Sequence, residues 1–302
     1  MAKVKNNSSK IVTMVERDME QVKKRQKTAK VVSKIVVYIF LIIMAVIVLF
    51  PFYWMIISSL KDLAEYKRPF PTFFPEVIHF ENYAKAFHTA NLLTLFKNTM
   101  YVGVVSTLLS LVITVLSAFA FARLEFKGRD TFFAILLATM MIPGELFTIT
   151  NYLTISQWGW LDTFEALIIP FLVSVFYIYL LKQNFLQIPN ELYLAAKVDG
   201  TTDLKYLWKV MIPLAAPTLV SITILKMMGA WNSYVWPNLV TSSEDKELIT
   251  NGLRNAFTDF SGQTDYPVQM AAVALVSIPL FLVFLFFRKY IMKGVSRSGI
   301  KG

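Results

Sequence analysis

The sequence predicts an all-α polytopic membrane protein with six transmembrane helices, on three observations. Hydrophobic residues make up 56% of the 302 residues and charged ones 17%, far more apolar surface than one water-exposed globule needs. The apolar residues fall in long runs. Basic residues concentrate in alternate connections between those runs, the pattern of loops that stay in the cytoplasm.

A helix crossing about 30 Å of hydrocarbon takes roughly 20 mostly apolar residues. Six runs qualify, at 35–58, 99–122, 131–153, 163–181, 213–239 and 268–287. The first follows a basic amino terminus, yet it is too long for the apolar region of a secretory signal. It also ends in Phe50-Pro51-Phe52-Tyr53-Trp54 rather than in small residues, so it reads as an uncleaved helix. Tyr53, Trp54, Trp158, Trp160 and Trp236 fall near expected outer ends, where amphipathic rings favour the headgroup zone. With the amino terminus inside, inner segments carry 22 Lys and Arg and outer segments 7, with Lys226 alone inside a span. Both termini are then cytoplasmic. This asymmetry accounts for the net charge of +10 without nucleic acid.

Residues 1–34 form a polar cytoplasmic segment, and 35–302 read as one membrane domain with an inner connection at 182–212 and a tail at 288–302. The run 11–30 has helical character, suited to the membrane surface or to a solvated basic tail that enforces orientation. The outer segment 61–97, rich in Pro and Phe, is too long for a tight turn and is expected to pack over the outer mouth.

The 182–212 connection has the residues of two short helices. Asn190 is placed to cap a helix opening at Glu191, and Gly200 to end it in the left-handed region. A second helix is expected from Thr202 or Asp203, with Leu204, Leu207, Trp208, Met211 and Ile212 along one face. Pro213 then opens span five, and small Ala195 and Ala196 are exposed for close approach by a partner. Patterning alone fits an ordinary amphipathic connector equally well.

The order Ile188-Pro189, Glu191-Leu192, Ala195-Ala196, Asp199-Gly200, Trp208, Pro213-Leu214 and Pro217 resembles the EAA loop of permeases of ATP-binding-cassette (ABC) importers. Leu194 stands where that family usually carries the glutamate that names the motif. Phe80-Glu81-Asn82-Tyr83, Ala118-Phe119-Ala120-Phe121-Ala122-Arg123, Met141-Ile142-Pro143-Gly144-Glu145, Gly229-Ala230-Trp231-Asn232 and the Lys293–Gly302 tail are similar to carbohydrate permeases of the maltose type. The resemblance implies a type I ABC importer permease fold whose last five spans surround a translocation path. It implies a sister permease, an ABC ATPase dimer and an extracytoplasmic sugar-binding protein as partners, in a cytoplasmic membrane. It further implies ATPase coupling through Glu191, Leu194, Ala195, Ala196, Asp199 and Gly200, with a sugar or oligosaccharide as cargo.

No GxxxxGK[ST] sequence is present, so ATP and magnesium belong to the partner ATPase, and this chain is expected to bind no cofactor. There is no cysteine, and His79 and His88 lie too far apart for a helical metal pair. No catalytic residue is expected. Lys226 and Glu145 sit within spans, where a charge costs at least about 2.5–3.5 kcal/mol. With Asn232, Trp231, Tyr234 and Asn151 they are the candidates for the transport cavity, although helix packing and bilayer anchoring suit the same residue types. Two alternatives stand beside the sugar reading. One is an ion-driven secondary carrier using Lys226 and Glu145 as a coupling pair; the other is an ABC importer for an anionic sugar or phosphorylated polyol.

Overall fold

In hydrocarbon every backbone N–H and C=O needs a partner within the chain, so apolar runs of this length become helices. The computed structural model describes the backbone of residues 2–257 and 264–296 and the side chains of 30–257 and 264–289. No strand occurs among the described residues. The chain divides into two units, Met1–Ile57 and Ser58–Gly302, whereas the sequence expects its boundary after residue 34.

The first unit is one helix, the greater part of α1 (Ala2–Ser59). No break separates the polar run 11–30 from the span Lys30–Ser59. The apolar side chains from Val31 to Phe52 are exposed, as a lipid-facing or partner-facing helix requires.

The second unit begins with the outer segment, α2 (Leu63–Tyr66) and α3 (Glu81–Thr89). Buried Glu65 accepts from the Thr72 hydroxyl and from the Glu76 N–H, and Asn82 Nδ2 donates to the Ser59 and Lys61 carbonyls at 2.9 and 2.8 Å. The segment is therefore held by its own polar groups. Next come α4 (Leu92–Arg123), α5 (Arg129–Thr139), α6 (Thr148–Gln157), α7 (Phe164–Ile168) and α8 (Val175–Leu186). Two short helices, α9 (Asn190–Val198) and α10 (Asp203–Tyr206), lead through a π turn at Leu207–Met211 into α11 (Ile212–Leu214). The chain closes with α12 (Ala216–Trp231), α13 (Val235–Val240), α14 (Ile249–Phe257) and α15 (Tyr266–Ser296).

Three expected spans are unbroken helices, at Lys30–Ser59, Leu92–Arg123 and Tyr266–Lys289. The other three are bent. The third turns by 84° between Arg129–Thr139 and Gly144–Gln157, at Pro143-Gly144. The fourth turns by 45° between Phe164–Phe171 and Val175–Leu186, beside Pro170. The fifth is not the continuous helix 213–239 that the sequence suggests. It starts after an 80° corner at Ala215, between Pro213 and Pro217, and α12 ends at Trp231. Proline lacks an N–H and clashes with the preceding turn, so backbone groups freed at these corners need other partners. Pro51 and Pro279 lie inside continuous helices and make no such break. The tail expected at 288–302 begins as a continuation of α15; residues 297–302, with most of the tail motif, lie outside the described residues.

Helix α4 is the spine of the second unit and packs on α8 and α12. Its first turns join a cluster with α14 and α15 around Leu92, Leu95, Trp231 and Ile249. Val102, a third of the way along, joins Leu167 and Trp236, while Ala118 and Phe119 near its end join Phe185, Tyr206 and Met211. At the first contact Gly252 of α14 lies against Leu95, and a Cβ there would come within 2.3 Å of Leu95 Cδ2. Gly252→Ala should therefore destabilise the second unit by about 1–3 kcal/mol through overpacking. Combined with Leu95→Ala it should cost less than the two single changes added together. Thermal inactivation of the four forms measures this, and strict additivity would place the strain elsewhere.

Candidate functional site

Between α8 and α12 exposed apolar side chains recur on α9, α10 and the π turn that follows, and their support can be traced residue by residue. Helix α9 opens at Asn190 itself, with Pro189 before it, so Asn190 is the first helical residue and its side chain makes no cap. Glu191 lies in the first turn, where an acid suits the helix dipole. The helix ends as expected at Gly200, whose φ is +71°. Its N–H bonds to the Lys197 carbonyl at 3.0 Å, and the Thr201 N–H reaches back to Ala196 at 2.8 Å. Thr202 caps the next helix, its hydroxyl accepting from the Lys205 N–H.

Three contacts hold the two helices together. The Tyr193 hydroxyl donates to Asp203 Oδ1 at 2.7 Å, Lys197 Nζ meets the same oxygen at 2.7 Å, and the Tyr193 ring packs on Tyr206 with centroids 5.1 Å apart. The Lys197 ammonium and then the Tyr193 hydroxyl hold the Asp203 carboxyl below its ordinary 3.8, and Asp203 in turn raises Lys197 above 10.5. A depressed acid stabilises above its unfolded value and is lost as pH falls through the folded one. A raised lysine stabilises below its unfolded value and is lost as pH rises through the folded one. The brace is thus intact from about pH 5 to 9. Asp203→Asn should loosen the helix pair, and lower transport activity, only modestly, because the pair is largely solvated. Activity–pH profiles of variant and parent should run parallel in that window, and a difference that changes with pH would mean that another group controls the turn.

The sequence places one face along α10 and its continuation, but the structure splits it. Leu207 and Met211 are fully buried, whereas Leu204 and Trp208 are 59% and 65% exposed. The π turn, closed by the Ile212 N–H on the Leu207 carbonyl, lies between those two directions. Leu194 and Val198, the latter 89% exposed, continue the apolar ridge on α9. Of the two alanines expected on the free surface, only Ala195 is there; Ala196 is half-buried against the cluster of Phe119, Phe185 and Tyr206. Glu191, Asp199 and Gly200 are exposed.

Arg123, quoted above only as the end of a string, has a part that sequence reading missed. It is 8% exposed, and its Nη2 donates to the Phe185 carbonyl at 2.8 Å and the Ile188 carbonyl at 2.6 Å. These carbonyls flank the carboxyl end of α8, where a helix end favours a cation. A basic residue closing an apolar span was the available signal.

A cavity of about 360 Å³ lies between α4, α8 and α12. Of the six transport-cavity candidates it contains Lys226, whose Nζ donates to the Phe171 carbonyl at 2.5 Å. Trp231 instead is buried against Phe96, and Tyr234 takes a hydrogen bond from Arg254. Asn232 turns back to the Met228 carbonyl at 2.9 Å. Glu145 is exposed on the turn Gly144–Phe147, and Asn151 is half-buried on α6; Lys226 and Glu145 form no ion pair.

Residues 110–297 match the family described as binding-protein-dependent transport system inner membrane component. This chain belongs to that family. The permease is 30% identical to the arabinooligosaccharides transport system permease protein AraQ of Halalkalibacterium halodurans, over 92% of its own length and 100% of the relative's. It is 31% identical to the trehalose/maltose transport system permease protein MalG of Thermococcus litoralis, over 90% and 99%. Among solved structures it is similar to a chain of a bacterial ABC transporter involved in the import of the acidic polysaccharide alginate, with TM-score 0.79 and 28% identity. That match covers 86% of this chain and 96% of the other. The permease is a multi-pass subunit of a cytoplasmic-membrane importer, and α9–α11 coincide with its EAA-like stretch.

Proposed function

We propose that this permease forms the translocation path of a sugar or oligosaccharide importer together with a sister permease, and docks through α9–α11 onto an ABC ATPase dimer. The apolar ridge of Leu194, Val198, Leu204 and Trp208 on a braced helix–turn–helix carries this reading, because exposed apolar surface on a polar connection marks a partner site. Glu191, Leu194, Ala195, Asp199 and Gly200 face the partner, and Ala196 supports them from behind. The sugar cargo is supported by the sugars in the names of the relatives' transport systems. A binding protein delivers cargo at the outer mouth. ATP, with magnesium on the partner, closes the ATPases, and their movement reaches the spans through this loop. A cytoplasmic loop and cytoplasmic termini are supported by the basic-residue asymmetry.

The chain has no cysteine, so single introduced cysteines report cleanly. Val198→Cys is expected to be labelled only after the membrane is opened and to crosslink to a copurifying ATPase, whereas Phe70→Cys is labelled from outside. ATP hydrolysis by the reconstituted complex should rise with sugar-loaded binding protein. Labelling of Val198→Cys from outside would reverse the topology, and purification without an ATPase would remove the docking role.

A further inference from the structure

We propose that the cavity around Lys226 binds an anionic group of the cargo, a carboxylate or phosphate carried on a sugar or polyol. This rests on the importer reading and narrows its substrate class.

Lys226 is a cation in an apolar helix, where charge is costly unless a partner or ligand recovers it. An ammonium has three donors. One is used by the Phe171 carbonyl, at the bend of span four, and no carboxylate pairs with Lys226 among the described residues. No acidic residue lines the cavity. A neutral carbonyl leaves the charge uncompensated, whereas an oxyanion would make the shorter, stronger charge-assisted bond.

The surroundings suit a hydroxylated molecule. Ser106, Ser174 and Tyr177 are the hydroxyl-bearing residues of α4 and the start of α8 that line it, and Trp236 adds an aromatic side chain. The Trp236 indole N–H is already held by the Ala166 carbonyl at 2.9 Å, so the ring is fixed in place. Gly229, one turn beyond Lys226, has nothing within 4 Å of where its Cβ would stand, which leaves room beside the ammonium. The volume of about 360 Å³ is near the lower end of small-molecule sites, about 300–1,000 Å³. It suits one ring-sized unit with its charged substituent.

Ligand-observed NMR on the purified complex, with glucuronate, sn-glycerol 3-phosphate and glucose as probes, tests this. Both anions should bind at least about tenfold more tightly than glucose, a difference of about 1.4 kcal/mol. Lys226→Gln, which keeps a donor for the Phe171 carbonyl, should bring the three probes to similar affinity. Lys226→Arg should retain part of the preference, and Lys85→Gln on the outer helix α3 all of it. Equal binding of glucose and the anions by the parent would overturn the proposal, as would an unchanged preference in Lys226→Gln. Copurification of the ATPase and its hydrolysis rate, measured on the same parent sample, show separately whether the importer reading stands.

Discussion

Gly200→Val is expected to reduce cargo-stimulated ATP hydrolysis at least tenfold while leaving membrane insertion and abundance near those of the parent. Gly200 has φ +71°, and a Cβ at this position would meet nothing within 4 Å. The penalty is therefore backbone strain alone, about 1–2 kcal/mol for an ordinary L-residue and more for a β-branched one. That is too little to unfold a bundle held by three apolar clusters, but it falls entirely on the turn. Relief requires rotation at 199–201, which breaks the Gly200–Lys197 and Thr201–Ala196 hydrogen bonds and moves the Thr202 cap away from α9. The ridge of Val198 on one helix and Leu204 on the next would then lose its shape. Gly200→Asn is the control, since asparagine tolerates the left-handed region, and it should keep most of the coupling. Uptake per ATP measured for both variants decides the matter. A valine variant that couples like the parent would show that this turn transmits nothing.

The two variants differ in a property legible from the sequence, because the end of α9 is governed by neighbours in the chain. Gly200 and Thr202 act within a few residues, so their roles could be read from type and order. The spans were legible for a similar reason, since an apolar run of sufficient length forms a helix whatever surrounds it. Their bends were not. Pro143 and Pro170 accompany breaks while Pro51 and Pro279 do not, and the local sequence does not separate the two cases. One partner at such a bend is distant in the chain: the Phe171 carbonyl at the bend of span four accepts from Lys226, 55 residues away. The face on which each alanine of the pair 195–196 would lie was likewise hidden, because it depends on Phe119 and Tyr206 behind α9. Asn190 failed as a cap because the helix begins one residue earlier than its capping role requires.

A second contact between residues distant in the chain predicts the largest loss. Arg123→Ala should destabilise the complex by about 2–5 kcal/mol, since it leaves the Phe185 and Ile188 carbonyls without their guanidinium partner at a buried site. It also removes the packing of a long buried side chain. The two carbonyls lie 62 and 65 residues from Arg123 and flank the end of α8, so one Nη2 ties the spine helix to the root of the α9–α10 pair. Arg123→Lys separates stability from positioning. Lysine restores a positive charge near the helix end, but it lacks the planar fork that holds a fixed orientation, so its ammonium can wander between the two oxygens. Thermal inactivation of the lysine variant should return most of the way to that of the parent, while ATP hydrolysed per cargo molecule stays raised. Recovery of both together would make Arg123 a stabilising contact only. Recovery of stability alone would mean that movement of the ATPase reaches α4 through the angle at which α9 leaves α8, an angle set by a residue outside the loop.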